Sequence, residues 1–135
     1  MTLSYVATRR VEFRDTDAAG IMHFSKFFTY MEEAEHELLR SVGLSVMTRD
    51  AEGPISWPRV AATCDYQGAV RFEDSLSIEA RVERLGQKSV VYAFTFRHAD
   101  RQVAHGSLTA VCCRLQPDGM LQSIVIPADV RAKLT

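Results

Sequence analysis

The sequence lacks the features that mark membrane, secreted and nucleic-acid-binding proteins. It has no apolar run long enough to cross a bilayer, and its first ten residues, MTLSYVATRR, contain no signal-peptide core. Its 16 basic and 17 acidic side chains give a net charge of −1, so no long-range field attracts nucleic acid or an anionic membrane. We therefore expect a cytoplasmic protein that binds neither nucleic acid nor membrane.

Cysteine is scarce, and motifs for metals and cofactors are missing. The three cysteines, Cys64, Cys112 and Cys113, are an odd number without the spacing of a metal site. Free cysteine is common in protein cores, so we interpret them as small buried residues. The sequence has no Gly-rich phosphate loop and no Ser–His or Cys–His motif. These absences predict no metal ion and no bound cofactor.

Length and composition fit one globular domain that spans residues 1–135. The chain is 47% hydrophobic and 24% charged, which is ordinary for a protein with its own core. A domain of this size buries a little under ~70% of its unfolded surface, which is enough to fold without metal or disulfide support. No repeat, linker or low-complexity segment divides the chain.

One long helix is predicted in the first third of the chain, from about Phe24 to Val42. Apolar side chains recur there at helical spacing: Phe24, Phe27, Phe28, Met31, Ala34, Leu38 and Val42. Ser25 is a candidate N-cap, and Gly43 is a suitable C-terminal stop. The charged residues are placed mostly on the other faces of the helix: Glu32, Glu33, Glu35, Glu37 and Arg40.

Most of the remaining chain is predicted to form strands. Residues 5–14 are rich in β-formers and precede the helix. After the helix, DSLSIEARVERLG alternates apolar and polar side chains, and three further segments are rich in β-formers: SWPRVAATCDYQG, KSVVYAFTFRH and QVAHGSLTAVCCRLQ. A turn, PDG, precedes MLQSIVI, and Pro127 opens a short terminal helix. This order, with four or five strands in a meander, predicts an α+β fold with one helix against an antiparallel sheet.

The segment DTDAAGI, residues 15–21, stands between the first strand and the helix. Its position, with RRVEFR before it and FEDSLSIEARV, KSVVYAFTF and IVIPADV after it, resembles the hotdog-fold acyl-CoA thioesterases of the 4-hydroxybenzoyl-CoA thioesterase branch. The resemblance covers nearly the whole chain. It implies one long central helix wrapped by a five- to six-stranded antiparallel sheet. It also implies hydrolysis of a small acyl- or aryl-CoA to free acid and CoA, with coenzyme A present only as part of the substrate.

The resemblance assigns the catalytic carboxylate to Asp17, as nucleophile or general base, and the oxyanion donor to the backbone N–H of Phe24. His23 is a further candidate, as an acid or base for the departing thiol, with a structural or pocket role as the alternative. Asp15 is interpreted as a carboxylate that organises the turn. A second branch of hotdog thioesterases uses a carboxylate on the helix, which makes Glu32 and Glu33 the rival candidates.

Four residues are candidates for binding the nucleotide end of coenzyme A: Arg71, Arg84, Lys88 and Ser89. Gly20, in the DTDAAGI turn, is a candidate substrate contact. Active sites of the family lie at a dimer interface, so the resemblance implies a homo-oligomer, either a dimer or a tetramer of dimers. Long strands with open edges point the same way, because such edges invite pairing with another chain.

Two other functions remain possible on the same fold. Hotdog enoyl-CoA hydratases carry an Asn-Pro followed by a histidine in this region, whereas the present chain has no Asn-Pro and has His23 one residue too late. A non-catalytic module that binds acyl-CoA or an acyl-carrier protein is the third class, and the presence of Asp17 argues against it. Fold alone does not decide among the three, and release of free thiol from an acyl-CoA separates them.

Overall fold

The computed structural model describes residues 3–135, and these form two antiparallel sheets and two helices. The helices are α1 (Lys26–Ser41) and α2 (Ala128–Leu134). The strands are β1 (Ser4–Arg10), β2 (Thr48–Asp50), β3 (Gly53–Ser56), β4 (Arg59–Tyr66), β5 (Ser75–Leu85), β6 (Ser89–His98), β7 (Arg101–Val111), β8 (Cys113–Leu115) and β9 (Leu121–Ser123).

The larger sheet has five strands in the order β1-β5-β6-β7-β4, and α1 packs on one of its faces. This arrangement confirms the α+β class and the five- to six-stranded antiparallel sheet. The predicted meander is only partly right, since β5, β6 and β7 are consecutive neighbours but β4 crosses to the far edge and pairs with β7. The crossover leaves β4 with one sheet neighbour and an open edge.

The first predicted strand is too long, because the chain leaves the sheet at Arg10. A 3-10 turn follows at Phe13–Asp15, where the side chains of Glu12 and Asp15 each accept a hydrogen bond from the other residue's backbone. Helix α1 begins at Lys26, two residues after the predicted start at Phe24, and Phe24 lies outside it with 62% of its surface exposed.

The core lies between α1 and the larger sheet, as the two periodicities predict. The inward side chains of β5 are buried in alternation: Leu76, Ile78, Ala80 and Val82. The buried face of α1 includes Phe27, Met31, Ala34 and Leu38. The assignment of Glu35 to another face is wrong, since Glu35 is only 1% exposed.

Gly106 leaves room on β7 for a side chain of α1. A Cβ atom at this position of β7 would lie 2.2 Å from the Cε of Met31 and 2.7 Å from the carbonyl oxygen of Thr63. A side chain there would displace Met31 and clash with the backbone of the neighbouring strand β4. At the other end of α1, Gly43 has a φ of +79°, which glycine adopts without strain and which ends the helix as predicted.

A smaller sheet, in the order β2-β3-β8-β9, was not predicted. Its strands have three or four residues each, which is too short for a clear hydrophobic alternation. The predicted strand QVAHGSLTAVCCRLQ is divided at Cys112, so that its first part joins the larger sheet as β7 and its last part joins the smaller sheet as β8. The terminal helix α2 follows Pro127, as expected.

Within residues 3–135, neither helix is long and apolar enough to span a bilayer. The three cysteines are free thiols, with Cys112 and Cys113 buried and Cys64 half-buried.

The edge strand β4 is mostly exposed to solvent, since six of its eight residues are exposed. The exposed set includes Val60 and Tyr66, so the strand presents apolar surface at the sheet edge.

Candidate active site

The segment DTDAAGI forms a tight hairpin that ends against the start of α1. Thr16 pairs with Met22, and the N–H of Asp17 donates to the carbonyl oxygen of Ile21 at 2.9 Å. The turn closes through a 2.9 Å hydrogen bond from the Gly20 N–H to the Asp17 carbonyl oxygen. Gly20 has a φ of +78°, so this left-handed position favours glycine. The hairpin therefore fixes Asp17 at a defined place relative to the helix start.

Asp15 is a structural carboxylate of this hairpin, in agreement with its interpretation from the sequence as a residue that organises the turn. It is 5% exposed, and its Oδ2 accepts hydrogen bonds from the Tyr30 hydroxyl at 2.5 Å and from the Glu12 N–H at 3.1 Å. Its carbonyl oxygen accepts the His23 N–H at 2.7 Å. Burial, and then the hydrogen bond to Asp15, raises the pKa of the Tyr30 phenol, so the hydroxyl stays a donor.

The carboxylate of Asp17 accepts a hydrogen bond through only one of its two oxygens within residues 3–135. Its Oδ1 accepts the Ala19 N–H at 2.8 Å, which fixes the side chain in an Asx turn. Within residues 3–135, its Oδ2 has no hydrogen-bond donor. The side chain is half-buried, and no arginine or lysine of that part of the chain forms an ion pair with it. One carboxylate oxygen is thus oriented by the backbone, while the other is free to act on a ligand.

The start of α1 presents an unoccupied backbone donor. The N–H of Phe24 has no acceptor in the part of the chain that the structure describes, whereas the Lys26 N–H donates to the His23 carbonyl oxygen at 2.9 Å. The positive end of the helix dipole lies at this point. Such an N–H is suited to hold developing negative charge on a carbonyl oxygen.

His23 caps the helix through its imidazole. Nδ1 accepts the Ser25 N–H at 3.2 Å and lies 2.8 Å from the Ser25 hydroxyl oxygen. In the neutral ring the proton is therefore on Nε2. The ring stacks on Phe24 with centroids 4.4 Å apart. The predicted N-cap, Ser25, makes no side-chain capping bond, because its hydroxyl is engaged by His23. These contacts support the structural or pocket role of His23.

Tyr66, the last residue of β4, reaches the same place from the far edge of the sheet. Its hydroxyl donates to the Phe24 carbonyl oxygen at 2.9 Å. Its ring meets Phe27 edge to face, with centroids 5.1 Å apart. Burial and the neighbouring Cys64 thiol raise the pKa of the Tyr66 phenol to about 12. The hydroxyl is therefore protonated, and the contact joins two segments 42 residues apart in sequence.

The candidates for binding coenzyme A fall into two groups within one protomer. Arg71 lies on the hairpin side, because the preceding Val70 accepts the Met22 N–H at 2.7 Å. Arg84, Lys88 and Ser89 lie at the other end of β5 and β6, where Leu85 pairs with Val90. Strand β5 starts beside Arg10 and runs for 11 residues, roughly 35 Å. A single chain does not bring this second group to Asp17.

The rival glutamates of the helix are held by arginines. Glu33 accepts a 2.9 Å hydrogen bond from Arg9 Nε, and Glu32 lies 3.5 Å from Arg59. Glu35 is buried and forms a bidentate ion pair with Arg59. Burial raises the pKa of the Glu35 carboxyl, and the Arg59 guanidinium opposes that rise. The Arg9 pairing fastens β1 to α1, and the Arg59 pairings fasten the start of β4 to α1.

A groove of about 730 Å³ opens between α1, the segment before β2 and the start of β4. His36 and Glu32 line its helix side, and Arg59 lies at the start of β4. The Nε2 of His36 is buried without a hydrogen-bond partner in the described residues. The apolar lining is formed by Val46, Met47, Pro54, Ile55, Trp57, Pro58 and Leu115. Among residues 3–135, no three His, Cys, Asp or Glu side chains are grouped to hold a metal ion.

Comparison with known proteins gives the family. The profile of the thioesterase-like superfamily matches residues 11–134. A 1,4-dihydroxy-2-naphthoyl-CoA hydrolase from Prochlorococcus marinus is 32% identical over 115 residues, which cover 80% of this chain and 76% of that protein. The chain belongs to the thioesterase-like superfamily, and the expected class of thioester hydrolase is confirmed.

Solved structures agree with this assignment. A gentisyl-coenzyme A thioesterase superimposes with a TM-score of 0.84 and 29% identity, covering 97% of this chain and 100% of that one. The 4-hydroxybenzoyl-CoA thioesterase from Pseudomonas sp. strain CBS-3 gives a TM-score of 0.83 at 19% identity, covering 96% and 98%. The latter likeness confirms the hotdog fold. Among the three functional classes considered from the sequence, the family match favours the thioesterase over the hydratase and the binding module.

Two contacts of this region, Glu35 with Arg59 and Tyr66 with Phe24, were not predicted from the sequence. Glu35 lies four residues after Met31 and four before Leu39, both of which are buried, so helical spacing alone places it on the buried face. The pairing of Tyr66 with Phe24 has no such local signal, because it depends on the crossover that brings β4 to the edge of the sheet.

Proposed function

We propose that the protein hydrolyses aryl-CoA thioesters, with Asp17 as the catalytic carboxylate and the Phe24 N–H as the oxyanion donor. The observation that carries the proposal is the free Oδ2 of Asp17 in a hairpin that leads directly into the unoccupied Phe24 N–H. Thioester hydrolysis needs an attacking or proton-accepting oxygen and a donor for the carbonyl oxygen. The reaction requires no metal and no cofactor apart from the coenzyme A of the substrate.

Two routes use these groups. Asp17 attacks the carbonyl carbon, the C–S bond breaks, CoA leaves as the thiolate, and water hydrolyses the mixed anhydride to restore the carboxylate. Alternatively, Asp17 takes a proton from water, whose oxygen attacks the carbonyl carbon before the thiolate leaves. In both routes the Phe24 N–H stabilises the negative charge on the carbonyl oxygen. Because the CoA thiolate is a good leaving group, neither route depends on protonation by His23.

The working unit we propose is a homo-oligomer built on a β4–β4 dimer. Strand β4 has an open edge and exposed side chains, which a second β4 would cover. Antiparallel pairing around a two-fold axis places Arg59 of one protomer near Tyr66 of its partner. Dimers of this kind, alone or paired into a tetramer, bring the two ends of the sheet together across the interface.

This pairing joins the two groups of coenzyme A candidates. The turn with Arg84, Lys88 and Ser89 lies at the Arg59 end of the sheet, since Ser89 pairs with Val111 and Arg59 pairs with Ala110. Across the dimer it therefore lies at the same end as the partner's Asp17 hairpin. We propose that these basic residues bind the nucleotide phosphates of a substrate whose thioester lies at Asp17 of the other protomer. In the same proposal, Arg71 and Gly20 contact the substrate from the Asp17 side.

The acyl group we propose is aryl and hydroxylated. Relatives and structural neighbours bear names that specify 1,4-dihydroxy-2-naphthoyl, gentisyl and 4-hydroxybenzoyl groups. The groove beside Trp57 starts at the Arg59 end of β4 and so faces the partner's hairpin in the proposed dimer. Its apolar walls suit a ring, and His36 and Glu32 offer polar partners for hydroxyls. The cytoplasm, where acyl-CoA is made and used, is the compartment we propose.

The function is tested by the hydrolysis of a panel of aryl- and alkyl-CoA thioesters, which is measured as the release of free thiol. We expect hydroxyaryl-CoA to give the highest kcat/KM, and Trp57→Ala to lower that value more than the value for a short alkyl-CoA. Val125→Ala, which removes an exposed apolar side chain outside the groove, is the matched control. If the parent prefers alkyl-CoA and Trp57→Ala does not change that preference, the proposed acyl group is contradicted.

A complementation experiment tests the shared site. Equal amounts of Asp17→Asn protein and Arg84→Ala/Lys88→Ala protein are unfolded, mixed and refolded. If each site uses Asp17 of one protomer and the basic turn of the other, half of the dimers are mixed and one of their two sites is intact. At low acyl-CoA we therefore expect about a quarter of parental activity. Activity equal to the mean of the two separate variants would place both groups in one chain.

A further inference from the structure

We infer that Tyr66 is a positioning residue for the oxyanion donor of Phe24, an inference that rests on the proposed function. The Tyr66 hydroxyl is the only side-chain donor to the Phe24 carbonyl oxygen in the described residues 3–135. Tyr66 does not touch the reacting atoms in this arrangement. It acts through the backbone segment that carries the Phe24 N–H.

The backbone on either side of the Phe24 N–H is anchored. On the N-terminal side, the His23 N–H donates to the Asp15 carbonyl oxygen at 2.7 Å. On the C-terminal side, the Phe24 carbonyl oxygen accepts from Tyr66 at 2.9 Å. Phe24 itself lies outside the regular helix, so helical hydrogen bonds do not fix its carbonyl. Loss of the Tyr66 bond would leave the peptide plane that follows the oxyanion donor held on one side only, by the 3.2 Å bond from the Ser25 N–H to His23 Nδ1.

Tyr66 is placed to serve as an anchor because both its backbone and its ring contact the rest of the fold. Its backbone pairs with Ala104 of β7, the last pair of the ladder that joins β4 to the larger sheet. Its ring packs edge to face on the buried Phe27. Backbone donors of an oxyanion site work through preorganisation, and small displacements weaken them strongly. The sheet therefore supplies the reference against which the helix start is held.

The hydroxyl is poised to donate over the whole range in which the enzyme would work. Burial and the Cys64 thiol raise its pKa to about 12, so it stays protonated at neutral pH. The thiol itself is protonated there, since burial raises the Cys64 pKa to about 11. The hydrogen bond to Phe24 is thus neutral and independent of pH near neutrality.

Tyr66→Phe tests the inference, because it removes the hydroxyl and keeps the ring contact with Phe27. We expect kcat for a hydroxyaryl-CoA to fall about tenfold, with KM within about twofold of the parent. Tyr5→Phe is the matched control, since the Tyr5 hydroxyl has no hydrogen-bond partner in residues 3–135 and lies in β1. This control is expected to keep the parental kcat.

The direct readout is the carbonyl stretch of a bound substrate analogue. A ketone analogue of the hydroxyaryl-CoA, with methylene in place of sulfur and a ¹³C-labelled carbonyl, cannot be hydrolysed and so does not depend on Asp17. Isotope-edited infrared spectra of the bound analogue report polarisation by the Phe24 N–H. We expect a shift to lower frequency in the parent and in Tyr5→Phe, and a clearly smaller shift in Tyr66→Phe.

The outcomes separate the inference from the proposed function. A full carbonyl shift and parental kcat in Tyr66→Phe would overturn the role of Tyr66 while leaving the oxyanion site in place. A fall in kcat accompanied by an equal rise in KM, with the full carbonyl shift retained, would make Tyr66 a substrate contact and also overturn the inference. Absence of any shift in the parent would overturn the oxyanion assignment itself, and with it any positioning role.

Discussion

The Tyr30 hydroxyl donates a 2.5 Å hydrogen bond to the Oδ2 of Asp15, which joins the third residue of a 3-10 turn to the first half of α1. Both residues are buried, at 5% exposure each. Because the Asp15 carbonyl oxygen also accepts the His23 N–H, this pair holds the DTDAAGI hairpin against the helix. The two acids of DTDAAGI therefore differ in their contacts, since Asp15 is buried and holds the geometry of the hairpin, whereas Asp17, the proposed catalytic carboxylate, has one oxygen without a donor in residues 3–135.

Asp15→Asn and Tyr30→Phe are expected to destabilise the protein by similar amounts. A buried hydrogen bond to a charged group contributes about 1.5–3 kcal/mol, and each variant loses that bond or its charge. The double variant is expected to lose less than the sum, because the two side chains share one interaction. Urea unfolding measures the three free energies. Strict additivity, or unchanged stability in both single variants, would contradict the coupling.

Removal of Arg59 is expected to cost far more than removal of an ordinary surface arginine. Arg59→Ala leaves the Glu35 carboxylate buried and unpaired, which costs about 3–5 kcal/mol. Arg101→Ala, at an exposed position without an ion pair in the described residues, is the control and should change stability by less than about 0.5 kcal/mol. Adding Glu35→Leu to Arg59→Ala is expected to recover most of the loss. No recovery would show that the ion pair is not the cause.

Asp50 gives the clearest dependence on pH. Its hydrogen bonds from Arg114, at 2.6 and 2.8 Å, hold the pKa of its carboxyl at about 2, below the usual 3.8. Because the pKa of Asp50 is lower in the folded protein, its carboxylate contributes to stability. This contribution is fully present above about pH 4 and is lost as the pH falls through the folded-state pKa. We expect the parent to be more stable than Asp50→Asn at pH 6, with the difference shrinking between pH 4 and 2. The melting temperatures of the two proteins measure this difference, and a difference that stays constant between pH 4 and 2 would contradict the prediction.

Much of the fold was accessible from the sequence because it follows local periodicity. The alternation of Leu76, Ile78, Ala80 and Val82 and the helical recurrence of Phe27, Met31, Ala34 and Leu38 each identify an element and its buried face. The short strands β2 and β3 have no such period and were not predicted, and nothing local indicated that β8 and β9 join them in a second sheet. The strand order could also be predicted only in part, because no local feature of the β4 sequence indicates that this strand pairs with β7.

The candidate site divides in the same way. Asp17, Gly20, His23 and Phe24 lie within eight consecutive residues, so one motif and its hairpin place them together. Tyr66 and the Glu35–Arg59 pair depend on contacts between segments 42 and 24 residues apart. Arg84, Lys88 and Ser89 reach the site only through a second chain in the account proposed here. Such relations depend on tertiary and quaternary arrangement, which residue spacing does not encode.

The turnover number of Asp17→Asn on a hydroxyaryl-CoA tests the central claim most directly. Asparagine keeps the shape of the side chain and the acceptor for the Ala19 N–H, but it removes the charged oxygen that attacks carbon or takes a proton from water in the proposed routes. We predict a fall in kcat of roughly 10²–10⁴ with KM little changed and a melting temperature near that of the parent. Asp100→Asn, at an exposed position, is the control for loss of one carboxylate. A folded Asp17→Asn protein with near-parental kcat would contradict the assignment of Asp17 as the catalytic carboxylate.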